Sequence, residues 1–359
     1  MEIDKSIYVP VLKWRQGEYQ ALYKLKTKVK DKIVPLIVIP PIEYNFEERK
    51  MKHTPHEHID PFPKKFCTKW GTRHALIDLH DSLEDKLMDD GETVIAHVFQ
   101  SLLKEGCNIT PVTGFSKSSG YQSDIKKILK GNDKGVAFRI FLEELMEPSL
   151  NNSINDLLKT LQIERKQVDL ILDLEQPQSF EPYVTFSKAL SHRIATIKQL
   201  SEYRSLVIIG TSLQLSEVSK PGGKVQRHEW GLYKELLTNL VNTGQTPSFG
   251  DYTIENPKFI SGDMRLMKPA GKVVYTIADY WYVTKGKAFR GNESQMVDHC
   301  QSIINSGHFS GSDFSIGDKR ISDTATGKEG TGNLSTWKQV GVNHHLTKVV
   351  EQLSNLHAA

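Results

Sequence analysis

The run Val168-Asp-Leu-Ile-Leu-Asp173-Leu-Glu175 decides the fold. It is apolar over most of its length, as a strand is when both faces of a parallel sheet are covered. It then finishes in two carboxylates two residues apart, which strand alternation places on one face. The direct reading is a buried strand whose C-terminal end opens into a site. Ala75-Leu-Ile-Asp78-Leu-His80 repeats the arrangement earlier in the chain.

Working outward, comparable apolar runs precede the segment at Tyr8–Trp14, Ile33–Ile39, His74–Leu79, Ile109–Gly114 and Gly135–Phe141, and follow it at Leu206–Gly210 and Pro247–Ile254. Helical periodicity fills most of the gaps. The clearest case is Asp90–Glu105, where Val94, Ile95, Val98, Phe99, Leu102 and Leu103 form one stripe and Gly106 suits a C-cap. Eight short strands separated by helices, with charged residues near several C-terminal ends, predict an α/β (β/α)8 TIM-barrel-like domain over residues 1–290. Closure has two readings, because Val273–Ile277 could serve as the eighth strand and leave Phe249–Ile254 as an insertion. Residues 291–359 read as C-terminal helices and a Gly/Ser-rich loop packed on the barrel. Within them, His308–Trp337 is expected to be irregular, and the last helix spans His345–Leu356.

The totals fit a soluble globular chain. Of 359 residues, 38% are hydrophobic and 25% charged, and the net charge of +3 carries no clear nucleic-acid signature. Cys67, Cys107 and Cys300 are odd in number and far apart, which argues against a disulfide framework or a Cys-rich zinc site and for a reducing cytosol. No secretory signal is visible at the N-terminus. The longest apolar run, Ile33–Ile42, has ten residues and three prolines, whereas a membrane span takes about 20. His53-Thr-Pro-His56-Glu-His58 reads as a solvated loop interrupted by Pro55 rather than a metal site. Gly223-Lys224 and Gly327-Lys328 are not phosphate loops, since neither is followed by Ser or Thr and Val218 and Ser322 stand where the first Gly belongs.

Several segments together resemble the beta protein family of tailed phages and bacterial genomes. They are Tyr8-Val-Pro-Val-Leu-Lys13-Trp14-Arg15 with Glu18 and Ala21, Val34-Pro-Leu-Ile with Pro41 and Glu43, Pro111-Val-Thr-Gly, Leu172-Asp173, Phe249-Gly-Asp251-Tyr252, and Trp337 with Asn343-His344-His345. The resemblance runs through nearly the whole chain in order. It implies a phage or mobile-element setting, and hence phage-host conflict as a context, but no catalytic residue set.

In a barrel of this kind the active site lies at the C-terminal strand ends. The candidates are Lys13 and Arg15 from the first strand, Glu43 after the second, Asp78 and His80 after the third, Arg139 in the fifth, Asp173 and Glu175 at the sixth, and Asp251 at the eighth. Two chemistries suit them. In one, Glu43, Asp78 and Asp173 hold Mg2+ through oxygen, while Lys13, Arg15, Arg139 and Asp251 bind a phosphate-bearing small molecule or nucleotide. In the other, a carboxylate and His80 perform general acid–base steps on an anionic substrate, as in a hydrolase or lyase. Arg139 with Asp173 also reads as a buried structural ion pair, and Glu43 as a solvated loop residue. A non-catalytic binding or interaction protein, with a protein partner, is therefore the alternative. Tyr275, Tyr280, Trp281 and Tyr282 could stack a base or pack a core.

Overall fold

The computed structural model describes residues 3–259, 262–263 and 266–358. Eight strands form a closed barrel: β1 Val9–Leu12, β2 Leu36–Ile39, β3 Ala75–Leu79, β4 Ile109–Thr113, β5 Val136–Phe141, β6 Val168–Asp173, β7 Ser205–Ile209 and β8 Ser248–Asp251. Each is parallel to its neighbours. β1 closes the ring by pairing with both β2 (Val11 with Leu36) and β8 (Val9 with Gly250). Closure at Ser248–Asp251 depends on a glycine, because a Cβ at Gly250 would lie 2.6 Å from the Val9 carbonyl oxygen and from an Ile209 side-chain carbon. Ala270–Thr276 is therefore not the eighth barrel strand. It runs antiparallel to Tyr280–Ala288, which also pairs with Gly222–Gln226, in a separate three-stranded sheet.

Strand alternation builds two cores. Val9, Val11, Leu36, Val38, Leu76, Val112, Ala137, Ile171, Val207 and Ile209 fill the barrel interior, and Tyr252 tops them. The alternate residues, including Leu12, Ile37, Ile77, Phe138, Leu170, Leu172 and Ile208, pack outward against the helices. A third cluster joins the three-stranded sheet to the C-terminal helices through Val273, Tyr275, Met296, Cys300, Ile321 and Trp337.

Three local expectations change. The last helix begins at Leu334 and runs to His357, because Asn333 caps it by accepting from the Thr336 N–H at 2.9 Å. Residues 308–337 are not wholly irregular: they hold the helix Ile316–Ala325, capped by Ser315. Pro55 opens a short helix, Pro55–Ile59, instead of interrupting one, since a first-turn proline gives up no intrahelical bond.

Candidate functional site

Inward-facing positions that continue past the apolar interior carry charge, and they meet at one place. Arg139 is the hub. Its Nε and Nη2 donate to Asp173 Oδ2 at 2.9 and 2.7 Å, Nη1 donates to Asp78 Oδ2 at 2.8 Å, and Nη2 also donates to the Tyr252 hydroxyl oxygen at 2.9 Å. The Tyr252 hydroxyl in turn donates to Asp173 Oδ2 at 2.7 Å. Burial opposes the guanidinium charge, but Tyr252, Asp173 and Asp78 outweigh it and hold its pKa well above the usual value. Burial and the Asp173 charge push the Tyr252 phenol up, so it remains a neutral donor.

Two lysines flank the hub. Lys117, on the loop after β4, donates to the Leu79 carbonyl at 3.1 Å and reaches Asp81 at 2.9 Å and Glu84 at 3.0 Å; Asp78 Oδ1 lies 3.5 Å away. Burial alone would discharge it, yet those carboxylates, Asp78 first, raise its pKa. Lys13 Nζ donates to the carbonyls of Asn256 and Lys258 at 2.5 and 2.7 Å and sits 4.6 Å from the centre of the Phe259 ring. Burial lowers it to about 8, which leaves it mostly cationic at neutral pH.

Above this floor lies an open cavity of about 370 Å³ whose walls include Lys13, Asp78, His80, Lys117, Arg139 and Glu175. Glu175 is half-buried, with φ of 49°, and its N–H donates to Asp173 Oδ1 at 2.9 Å. Burial, then the Asp173 charge, raises its carboxyl pKa. No hydrogen-bond partner for that carboxylate exists among the described residues. His80 Nδ1 accepts the Ser82 N–H at 3.2 Å, so the neutral ring carries its proton on Nε2. Burial lowers the His80 pKa and favours that neutral form. The Phe259 ring meets it edge-on at 4.9 Å.

Lys13, Asp78, His80, Arg139, Asp173 and Glu175 thus come together; Arg15, Glu43 and Asp251 do not join them. Trp14 has φ of 50°, which breaks the alternation, and Arg15 turns to the helix start Gln16–Tyr23. There it lies 3.3 Å from Glu43, which also binds Lys52 at 2.7 Å. Glu43 is half-exposed, and the Lys52 hydrogen bond lowers its pKa. Asp251 points outward. It accepts from the Tyr8 hydroxyl and the Thr253 N–H, and pairs with His345 Nε2 at 2.9 Å. Burial favours its neutral form, but His345 and Arg227 hold its pKa low.

The expected Mg2+ site does not fit these residues. Glu43 is outside the mouth, Arg139 bridges Asp78 and Asp173, and no three His, Cys, Asp or Glu side chains could hold a metal ion among the described residues. Of the aromatic cluster, Tyr275 and Trp281 pack: both are buried, and Tyr275 stacks on His344 at 3.8 Å, whereas Tyr280 is exposed and Tyr282 half-buried. Sequence reasoning missed Tyr252 and Lys117. The signal for Tyr252 was one residue away, since Gly250 facing the crowded interior makes Tyr252, not Asp251, the inward residue at the mouth. Lys117 lies on a loop with no periodicity and left no such signal.

A closed parallel eight-stranded barrel with its polar side chains gathered at the C-terminal strand ends is a TIM-barrel α/β protein. The chain belongs to the Beta protein family, whose model matches residues 8–351. Solved structures similar to it include a 3-dehydroquinate dehydratase from Enterococcus faecalis, at 12% identity and a TM-score of 0.37, covering 70% of this chain and 89% of that one. The catalytic domain of a hyperthermophilic chitinase from Pyrococcus furiosus is another, at 10% identity and a TM-score of 0.36, covering 69% of this chain and 84% of that one. No curated protein matches the sequence. Among the described residues, no helix is long and apolar enough to cross a membrane.

Proposed function

We propose that the barrel mouth is the acid–base centre of a small-molecule hydrolase or lyase. The observation that carries this reading is the placement of Glu175 and His80 across one open cavity, from strands three steps apart in the ring, over a floor immobilised by Arg139. Glu175 has a raised pKa and no protein partner among the described residues, which suits a group that takes and returns a proton. His80 has its Nδ1 occupied by Ser82, so its role is that of a neutral Nε2–H donor that polarises a substrate oxygen. Where the substrate carries phosphate, as a nucleotide does, Lys258 at the rim is, among the described residues that line the cavity, the lysine left to receive it, since Lys13 and Lys117 already donate to protein oxygens.

The rival reading is a non-catalytic binding module, with phage-host conflict as the setting that the family resemblance suggests. The saturated pairing of Arg139 favours it. One experiment separates the two: the purified protein is incubated with a mixed small-metabolite pool, and depletion is followed by mass spectrometry beside Glu175→Gln. We expect a metabolite that the native protein consumes and that Glu175→Gln consumes at least roughly 100-fold more slowly, the lower range for loss of a general acid or base. No consumption, or equal consumption by both, overturns the catalytic reading.

A further inference from the structure

We infer that the moiety this cavity admits is neutral and hydroxyl-rich, a polyol or a sugar ring, and that phosphate is kept out of its interior; the inference rests on the acid–base reading of the same cavity. Most of the cationic N–H groups around this cavity are already taken by the protein itself. An ammonium has three protons. Those of Lys117 go to the Leu79 carbonyl, Asp81 and Glu84. Lys13 gives two to backbone carbonyls and faces the Phe259 ring with the remainder. Arg139 donates four hydrogen bonds to Asp78, Asp173 and Tyr252. An anion entering the cavity would have to break these bonds while facing the carboxylates of Asp78 and Glu175.

Away from Lys258 at the rim, the groups left over among the described residues are chiefly acceptors, with the Thr113 hydroxyl, one Arg139 N–H and one imidazole N–H as donors. Asp78 is 3% exposed, yet its Oδ1 accepts no hydrogen bond from the described residues, with Lys117 Nζ at 3.5 Å as an ionic neighbour only. Such a buried atom has lost its water without gaining a partner, so a donor that enters the cavity and meets it is favoured. The Glu175 carboxylate is likewise unmet among the described residues, and His80 offers its Nε2–H. A hydroxyl both donates and accepts, so vicinal hydroxyls can satisfy all three. An ammonium only donates and would leave the His80 proton unmet. The remaining wall includes Val11, Val38 and Val112, apolar surface that suits the C–H faces of a ring. At about 370 Å³ the cavity lies toward the small end of ligand pockets, sized for one ring.

Saturation-transfer NMR at pH 7 with myo-inositol and D-glucose, and phosphorus NMR with inorganic phosphate and pyrophosphate, test this class. We expect at least one polyol to bind, to bind about tenfold more weakly to Glu175→Ala, as the loss of one good hydrogen bond requires, and to bind Glu175→Gln nearly as well, because the amide oxygen still accepts. His80→Gln serves as a second variant should Glu175→Ala misfold, and it too should weaken the polyol. Three outcomes overturn the inference: no polyol binds, polyol binding ignores both variants, or phosphate or pyrophosphate binds and displaces the polyol. Failure of the catalytic reading looks different. Polyol binding with no metabolite consumed sinks catalysis and spares the ligand class, whereas Glu175-dependent consumption of phosphate compounds with no polyol binding does the reverse.

Discussion

Arg139 joins β5 to β3, β6 and the residue that follows β8, so it braces the barrel mouth across the ring. Removing one partner of a buried ion pair typically costs about 3–5 kcal/mol, because the charges left behind are unpaired. We predict a loss of that size for Arg139→Leu, read from urea unfolding midpoints at constant slope; a loss below about 1 kcal/mol would contradict the bracing role. Most of this hub was legible in the sequence, since period-two alternation carries Asp78 to His80 and Asp173 to Glu175, and Lys13 and Arg139 lie in the same strand pattern. Alternation fails where the backbone departs from it. The positive φ at Trp14 turned Arg15 away, the turn after Pro40-Pro41 put Glu43 on the surface, and a one-residue error in parity exchanged Tyr252 for Asp251.

At the scale of elements, the eight barrel strands were readable because each is a compact apolar run with a helix or turn beside it. The C-terminal helix was readable only over its second half, because Asn343, His344 and His345 interrupt its apolar pattern while being fully buried by partners elsewhere in the chain. Long-range pairing also defeats cysteine counting. Cys67, on the helix Pro61–Lys69, and Cys107, just before β4, place their Sγ atoms 2.7 Å apart as free thiols. We predict that diamide, a thiol oxidant, converts this pair to an intramolecular disulfide, seen as the loss of two hydrogens by intact mass and as a crosslinked peptide containing both residues. Cys67→Ser should abolish the crosslink. If both thiols stay fully alkylatable after diamide, the helix and strand do not hold them together.

For the whole molecule, the C-terminal helix belongs to the layer packed around the barrel. Asn343 donates to the Ala21 carbonyl at 2.9 Å, His345 meets Asp251 and Thr276, and Arg227 donates to Gln352 at 2.7 Å. Val342, Leu346, Val349 and Leu353 are fully buried. At about 1.5–3 kcal/mol for each such side chain, their burial amounts to roughly 6–12 kcal/mol, comparable with the total stability of a typical domain. A chain truncated after Gly330 should therefore lack a cooperative thermal transition by circular dichroism; a melt within a few degrees of the full chain would refute this.

The pairing of β1 with β8 also sets an order of events during synthesis. Val9 leaves the ribosome long before Gly250, its partner in the ring, and at about 5–20 residues per second the wait is on the order of tens of seconds. For that time the nascent sheet presents β1 with one edge unpaired, the kind of edge to which other strands add. A chaperone that shields that edge, or a pause in translation after the last strand, would then govern how much of the protein reaches its native state.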